Sequence, residues 1–216
     1  MTTRSFILLV ATLLWAHPAN AERQVDSVVR SDALPALTMT ISGALPYIGR
    51  IKYPVGTVAK AEEFVFGAAV GGELMRALII HFEHFLPGKP NKFQYPQLRM
   101  TRLGSDDYLH QTWAFAELSL FQEPAIRELL GSKGLRAGPR WVADRYVRAL
   151  PENPQYEIII FYLESSSISD PSILYGGAPV APPPPPAPSP SIEAAIHARA
   201  RASFTGWTEG QAPTSN

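Results

Sequence analysis

The chain has 216 residues, with 19 basic and 19 acidic side chains and a formal net charge of +0. That balance speaks against nucleic acid as a partner, because affinity for a duplex rests on a cationic surface, and it gives no attraction to anionic lipid. The absence of cysteine excludes disulfides, thiol catalysis, iron–sulfur clusters and haem attachment through C-x-x-C-H, so the fold must hold by packing alone.

The first element is an export signal. Arg4 supplies a positive start, 6–16 is an apolar run of about eleven residues, Pro18 breaks it, and Ala19-Asn20-Ala21 is an A-x-A cleavage site. A spanning helix needs about 20 apolar residues. Residues 1–21 therefore read as a cleaved signal peptide, with a product beginning at Glu22 and no membrane span after it. Export without cysteine points to a periplasmic or secreted protein, bacterial before eukaryotic.

Residues 22–34 are polar and mixed, and read as a short helix or an unstructured lead-in. In 37–45, LTMTISGAL, alternation puts Leu37, Met39 and Ile41 on one strand face. Residues 47–53 read as a loop or a short edge strand closed by Pro54. The stretch 63–70, EFVFGAAV, is a strand ending at Gly71-Gly72. In 76–85, Leu74, Leu78, Phe82 and Phe85 keep helical spacing. The density of Ile, Phe and His nevertheless favours a strand, since stiff and bulky side chains lose rotamer freedom in a helix. Residues 98–103 and 108–114 flank Gly104-Ser105-Asp106-Asp107, which predicts a hairpin.

A helix is expected over 123–130, with Pro124 in its first turn and Ile126, Leu129 and Leu130 as its apolar stripe. The spacing in 140–150 fits a helix and a bent strand equally well. Residues 156–163, YEIIIFYL, are apolar on both faces, which implies the centre of a sheet. Together these predict one α+β domain over 22–164, an antiparallel sheet of about five or six strands with one or two helices on one face. Beyond it lie a Ser/Pro-rich linker over 165–191, with polyproline II through Pro182 to Pro186, and a disordered tail over 192–216. An alanine-rich helix over 192–202 is marginal in isolation. No packed core is expected beyond 165, and loss of 176–216 is expected to leave stability unchanged.

Three histidines carry the candidate chemistry. His81, Glu83 and His84 form H-x-E-H. On a strand, His81 and Glu83 share a face and His84 turns away, so the helical zinc pattern H-E-x-x-H is absent. A third ligand can come from His110 or Asp107 if the hairpin packs alongside. The paired carboxylates Asp106 and Asp107 suit a hard cation or acid–base work, although turn aspartates usually bond the backbone. The candidate catalytic residues are thus His81, Glu83, Asp107 and His110.

The plainer reading is a bonded histidine on a sheet face, with no cofactor and no response to zinc. Nucleophile-elbow, dinucleotide and P-loop motifs are absent. The aromatics Phe93, Tyr95, Tyr108 and Phe121 read as core before ligand pocket. The leading function is a non-enzymatic exported domain that binds an envelope protein or a small ligand. A metal-assisted hydrolase using His81, Glu83 and His110 competes with it, and a structural envelope protein is the third reading. Convergence of the four candidates in a cleft favours the enzyme; scatter over a sheet disfavours it.

Overall fold

A computed structural model of the chain describes residues 23–31, 33–89, 92–95, 98–115, 121, 123–165 and 189–208. Residues 1–21, read above as a signal peptide, and most of the proline-rich stretch lie outside the described residues. The described chain is mostly sheet, with two helices among the described residues.

The large sheet has eight strands: β4 (Tyr47–Val55), β5 (Ala59–Val70), β6 (Glu73–Phe85), β7 (Arg99–Leu103), β8 (Asp106–Phe115), β9 (Arg136–Ala137), β10 (Trp141–Ala149) and β11 (Tyr156–Ser165). Its order is β4-β5-β6-β11-β10-β8-β7, every pair antiparallel, with the short β9 alongside the start of β6 in parallel. A small sheet adds β1 (Arg23–Val25), β2 (Val28–Ser31), β3 (Leu37–Ile41) and β12 (Phe204–Thr208) in the order β1-β2-β3-β12. Helix α1 spans Pro124–Ser132 and α2 spans Pro190–Ser203.

The α+β class holds. The strand number exceeds the expected five or six, and the helices lie on opposite faces of the large sheet rather than on one. Both differences have one cause. Strands β5, β6, β10 and β11 are apolar on both faces, so each face needs a cover. On the inner face, Phe64, Leu78, Ile80, Tyr146 and Ile160 pack against Met39 and Ile41 of the small sheet and Ile196 of α2. On the outer face, Val65, Ile79, Ala143 and Leu163 pack against Ile126 and Leu130 of α1.

Local chemistry explains the connections. Strands β5 and β6 pair from Val70 opposite Glu73, joined by Gly71 and Gly72 at φ 59° and 79°. Positive φ at both central residues is a type I′ turn, whose twist matches the flanking strands. The β7–β8 turn is Gly104-Ser105, with Gly104 at φ 61° and Leu103 opposite Asp106. Asp106 and Asp107 are therefore strand residues and not part of a four-residue turn.

The ambiguous 140–150 is strand β10, with Trp141 and Ala143 in the outer core and Val142 and Tyr146 in the inner one. Residues 47–53 belong to the edge strand β4, where Pro54 lacks only a bond that an edge does not require. Strand β11 is the fourth of seven on the sheet path, as its two apolar faces require.

The largest departure is beyond residue 165. Ile196 and Ala200 of α2 are fully buried, Phe204 is 5% exposed, and β12 pairs with β3. The expectation of no packed core there fails because composition averages a segment. Three apolar side chains on one face of a short helix and the strand after it are enough to seal the inner core.

Candidate functional site

The outer face carries a cluster built by register. Glu63 on β5 pairs with His81 on β6, and Glu83 on β6 pairs with Glu157 on β11. Side chains alternate along a strand, so these four share the face of Val65 and Ile79. They continue the outer face past the reach of α1. Ala61, opposite Glu83 on β5, contributes only a methyl group.

His81 is held on both ring nitrogens, Nδ1 at 2.7 Å from Glu63 Oε1 and Nε2 at 3.0 Å from Glu83 Oε2. The Tyr53 hydroxyl donates to Glu63 Oε1 at 2.6 Å, and the Tyr95 hydroxyl donates to Glu157 Oε2. Tyr95 also lies under the Arg145 guanidinium, 5.8 Å from its ring centroid. Phe93 stacks on Phe85 at 4.5 Å, and the Phe93 N–H donates to the Pro154 carbonyl at 3.0 Å. Residues 92–95 are thereby fastened over the end of β6.

Burial is deep, with Glu63 at 0%, Glu157 at 2% and His81 at 6% exposure. Glu63 Oε2 is buried without a hydrogen-bond partner. Burial disfavours charge on His81, but the hydrogen bonds to Glu63 and Glu83 outweigh it and raise its pKa to about 9. Burial lifts Glu157 to about 7, with the Glu83 charge adding to the rise and the Tyr95 bond opposing it. Tyr53 and Tyr95 are pushed up by burial and by the carboxylates they serve.

The inner face holds a second cluster. Asp144, 0% exposed, accepts from His110 Nε2 at 2.6 Å, from the Thr112 hydroxyl at 2.6 Å and from the Tyr146 hydroxyl. His197 Nδ1 of α2 lies 3.2 Å from Asp144 Oδ2 and 2.9 Å from the Tyr146 oxygen. Burial pushes the Asp144 pKa up, but the bonds from His110, Thr112 and Tyr146 hold it below its usual value. Nearby, Arg199 donates twice to Glu164, at 2.6 Å each. This set is fully engaged and fastens α2 to the sheet.

The sequence candidates therefore separate. His81 and Glu83 meet on the outer face. His110 lies on the inner face with Tyr108 and Tyr146, and Asp107 is exposed opposite Arg102. Asp106 instead bonds Arg148 at 2.8 Å. The group brought beside His81 and Glu83 is neither His110 nor Asp107 but the Glu157 carboxylate, which sequence reasoning missed along with Glu63 and Asp144. The available signal was a carboxylate set against an apolar strand run, Glu157 in YEIIIFYL and Glu63, next to Glu62, at the head of EFVF.

Compared with protein-family models, characterised proteins and solved structures, the chain has no match. No helix among the described residues is long and apolar enough to cross a membrane.

Proposed function

We propose that the protein is an exported, non-enzymatic binding domain and that its receptor site is the acidic cluster of the outer face, which takes a small cationic ligand. The observation that carries this reading is Glu63, a fully buried carboxylate with one unpartnered oxygen, bonded to a histidine that two further carboxylates approach. A buried charge is retained only when something compensates it. Above about pH 7, where Glu157 is ionised as well, Glu63, Glu83 and Glu157 face the His81 imidazolium and Arg145, which leaves an excess of negative charge for a cation to balance.

Catalysis is the weaker reading for this pocket. A histidine acting as general base needs a ring nitrogen able to take a proton at working pH. Both His81 nitrogens are bonded to carboxylates, and a pKa of about 9 keeps the ring protonated at neutral pH. The hydrolase trio of His81, Glu83 and His110 is divided between the two sheet faces. Export to the periplasm or exterior rests on the pattern of 1–21.

The test is a thermal-shift series on the full chain with putrescine, guanidinium compounds, divalent cations, neutral sugars and small anions. Cationic compounds are expected to raise the Tm of the wild type, by an amount set by mass action, and to have no effect on the Glu83→Gln/Glu157→Gln double variant. A series in which no cation acts, or in which the double variant responds equally, overturns the reading.

A further inference from the structure

Glu83 and Glu157 are a directly opposed cross-strand pair of carboxyl side chains. When both are ionised, such a pair destabilises a sheet, and a cation between them relieves the repulsion. His81, two residues before Glu83, brings Nε2 to the same place. Donor atoms of His81, Glu83 and Glu157 all lie within 4.8 Å of one another. The other ring nitrogen of His81 is held by Glu63, which fixes the ring orientation. A carboxylate behind a histidine in this way is the usual support of a metal-binding imidazole. Oε2 of that same carboxylate is buried without a hydrogen-bond partner.

We propose that His81 Nε2 and the carboxylates of Glu83 and Glu157 bind one divalent metal ion of the zinc class, with Glu63 positioning His81. The proposal rests on the receptor reading above and names its ligand. A tetrahedral ion with bonds of about 2.0–2.1 Å sets donors about 3.3 Å apart. The His81–Glu83 separation of 3.0 Å is already near that value. Metal binding needs Nε2 unprotonated, so a proton carried there is released to water as the ion takes its place. One imidazole and two carboxylates leave a fourth position for water. Calcium and magnesium take six or more oxygens, a set that three donors including nitrogen do not supply.

The inner-face trio of His110, Asp144 and His197 also has metal-type spacing. Asp144 is there engaged by Thr112 and Tyr146 in addition to the histidines, so an ion has to displace bonds already made. It serves as the internal control.

The experiment titrates the chelator-stripped full chain with zinc chloride by calorimetry, and with cobalt(II) by visible absorption. One equivalent of zinc is expected, with a tetrahedral cobalt spectrum that His81→Gln abolishes. Glu83→Gln and Glu157→Gln are each expected to weaken binding at least tenfold. Glu63→Gln, which removes no metal ligand, is expected to weaken it by about 10–100-fold. His197→Gln is expected to leave it unchanged. Circular dichroism melts establish that each variant is folded. Should the buried Glu157→Gln fail to fold, Glu83→Gln, whose side chain is 13% exposed, carries the result.

No stoichiometric zinc, binding undiminished in the carboxamide variants, or binding lost only in His197→Gln overturns the proposal. Putrescine separates this failure from the broader one. If it binds the pocket while zinc does not, the metal assignment fails and the cation receptor stands. If neither binds, both fail.

Discussion

A chain ending at residue 188 is expected to lose most of its stability. Ile196 and Ala200 are fully buried and Phe204 is 5% exposed, and burying an Ile or a Phe side chain contributes about 1.5–3 kcal/mol each. The same segment carries Arg199, the bidentate partner of Glu164, itself 0% exposed. Removing one partner of a fully buried ion pair costs about 3–5 kcal/mol, and the loss here is smaller because the Arg199 side chain is 45% exposed and screened by solvent. The sum is comparable with the whole stability of a domain, about 5–15 kcal/mol. A thermal melt of the truncated chain is expected to show a Tm lowered by about 15–30 °C, or no cooperative transition. The milder Ile196→Ala, by urea titration, is expected to cost about 2–5 kcal/mol. Melts that coincide with the full chain would mean that α2 and β12 are not part of the core.

Stability of the chelator-treated protein is expected to fall as pH rises from about 4.5 to 9. The sign follows from the direction of two shifts. His81 moves from 6.5 to about 9 and Glu157 from 4.5 to about 7, so in both cases the folded state binds the proton more tightly than the unfolded chain. A raised pKa contributes stability that is complete below the unfolded value and lost as pH climbs through the folded one. Glu157 gives its share up between about pH 4.5 and 7, and His81 between about 6.5 and 9, each about 3 kcal/mol at most.

Asp144 has the opposite sign. Its lowered pKa contributes stability above the ordinary 3.8 and loses it as pH falls further. The maximum is thus expected near pH 4.5–5, below the usual range for globular proteins, about pH 5–8. Urea midpoints between pH 4 and 9.5 measure the curve, and His81→Gln should flatten its upper half. Stability that rises across this interval would show that the cluster does not hold extra protons in the folded state.

The strands that sequence reads well are those in which one physical requirement dominates. In 156–163 both faces are apolar, so only a central strand fits, and β11 is central. In 37–41 strict alternation matches a strand with one face in the core. Stiff side chains decide 76–85 as strand, and β6 extends it to Glu73 because Gly71-Gly72 closes a tight turn. The stretch 140–150 is ambiguous because Asp144 and Arg145 interrupt both periods, and only the neighbours on β8 and β11 make it a strand.

The site is half legible. His81 and Glu83 share a face by the period of two alone. Their partners, Glu63 on β5 and Glu157 on β11, arrive through register, which depends on where the hairpins close and on a pairing of β6 with β11 across more than 70 residues of chain. His110 is drawn away for the same reason: parity on β8 sends it to the inner face with Tyr108 and Tyr146. A histidine's chemistry is visible in sequence, but the face it serves is set by its strand partners.

The most direct measurement of the central claim is a high-resolution crystal structure of the full chain, purified without chelator and grown at pH 8. The account predicts non-protein density in contact with the carboxylates of Glu83 and Glu157, with His81 still bonded through Nδ1 to Glu63. Glu83 and Glu157 carboxylates that meet only His81, Tyr95 and water, unchanged after soaking with zinc or putrescine, would contradict it.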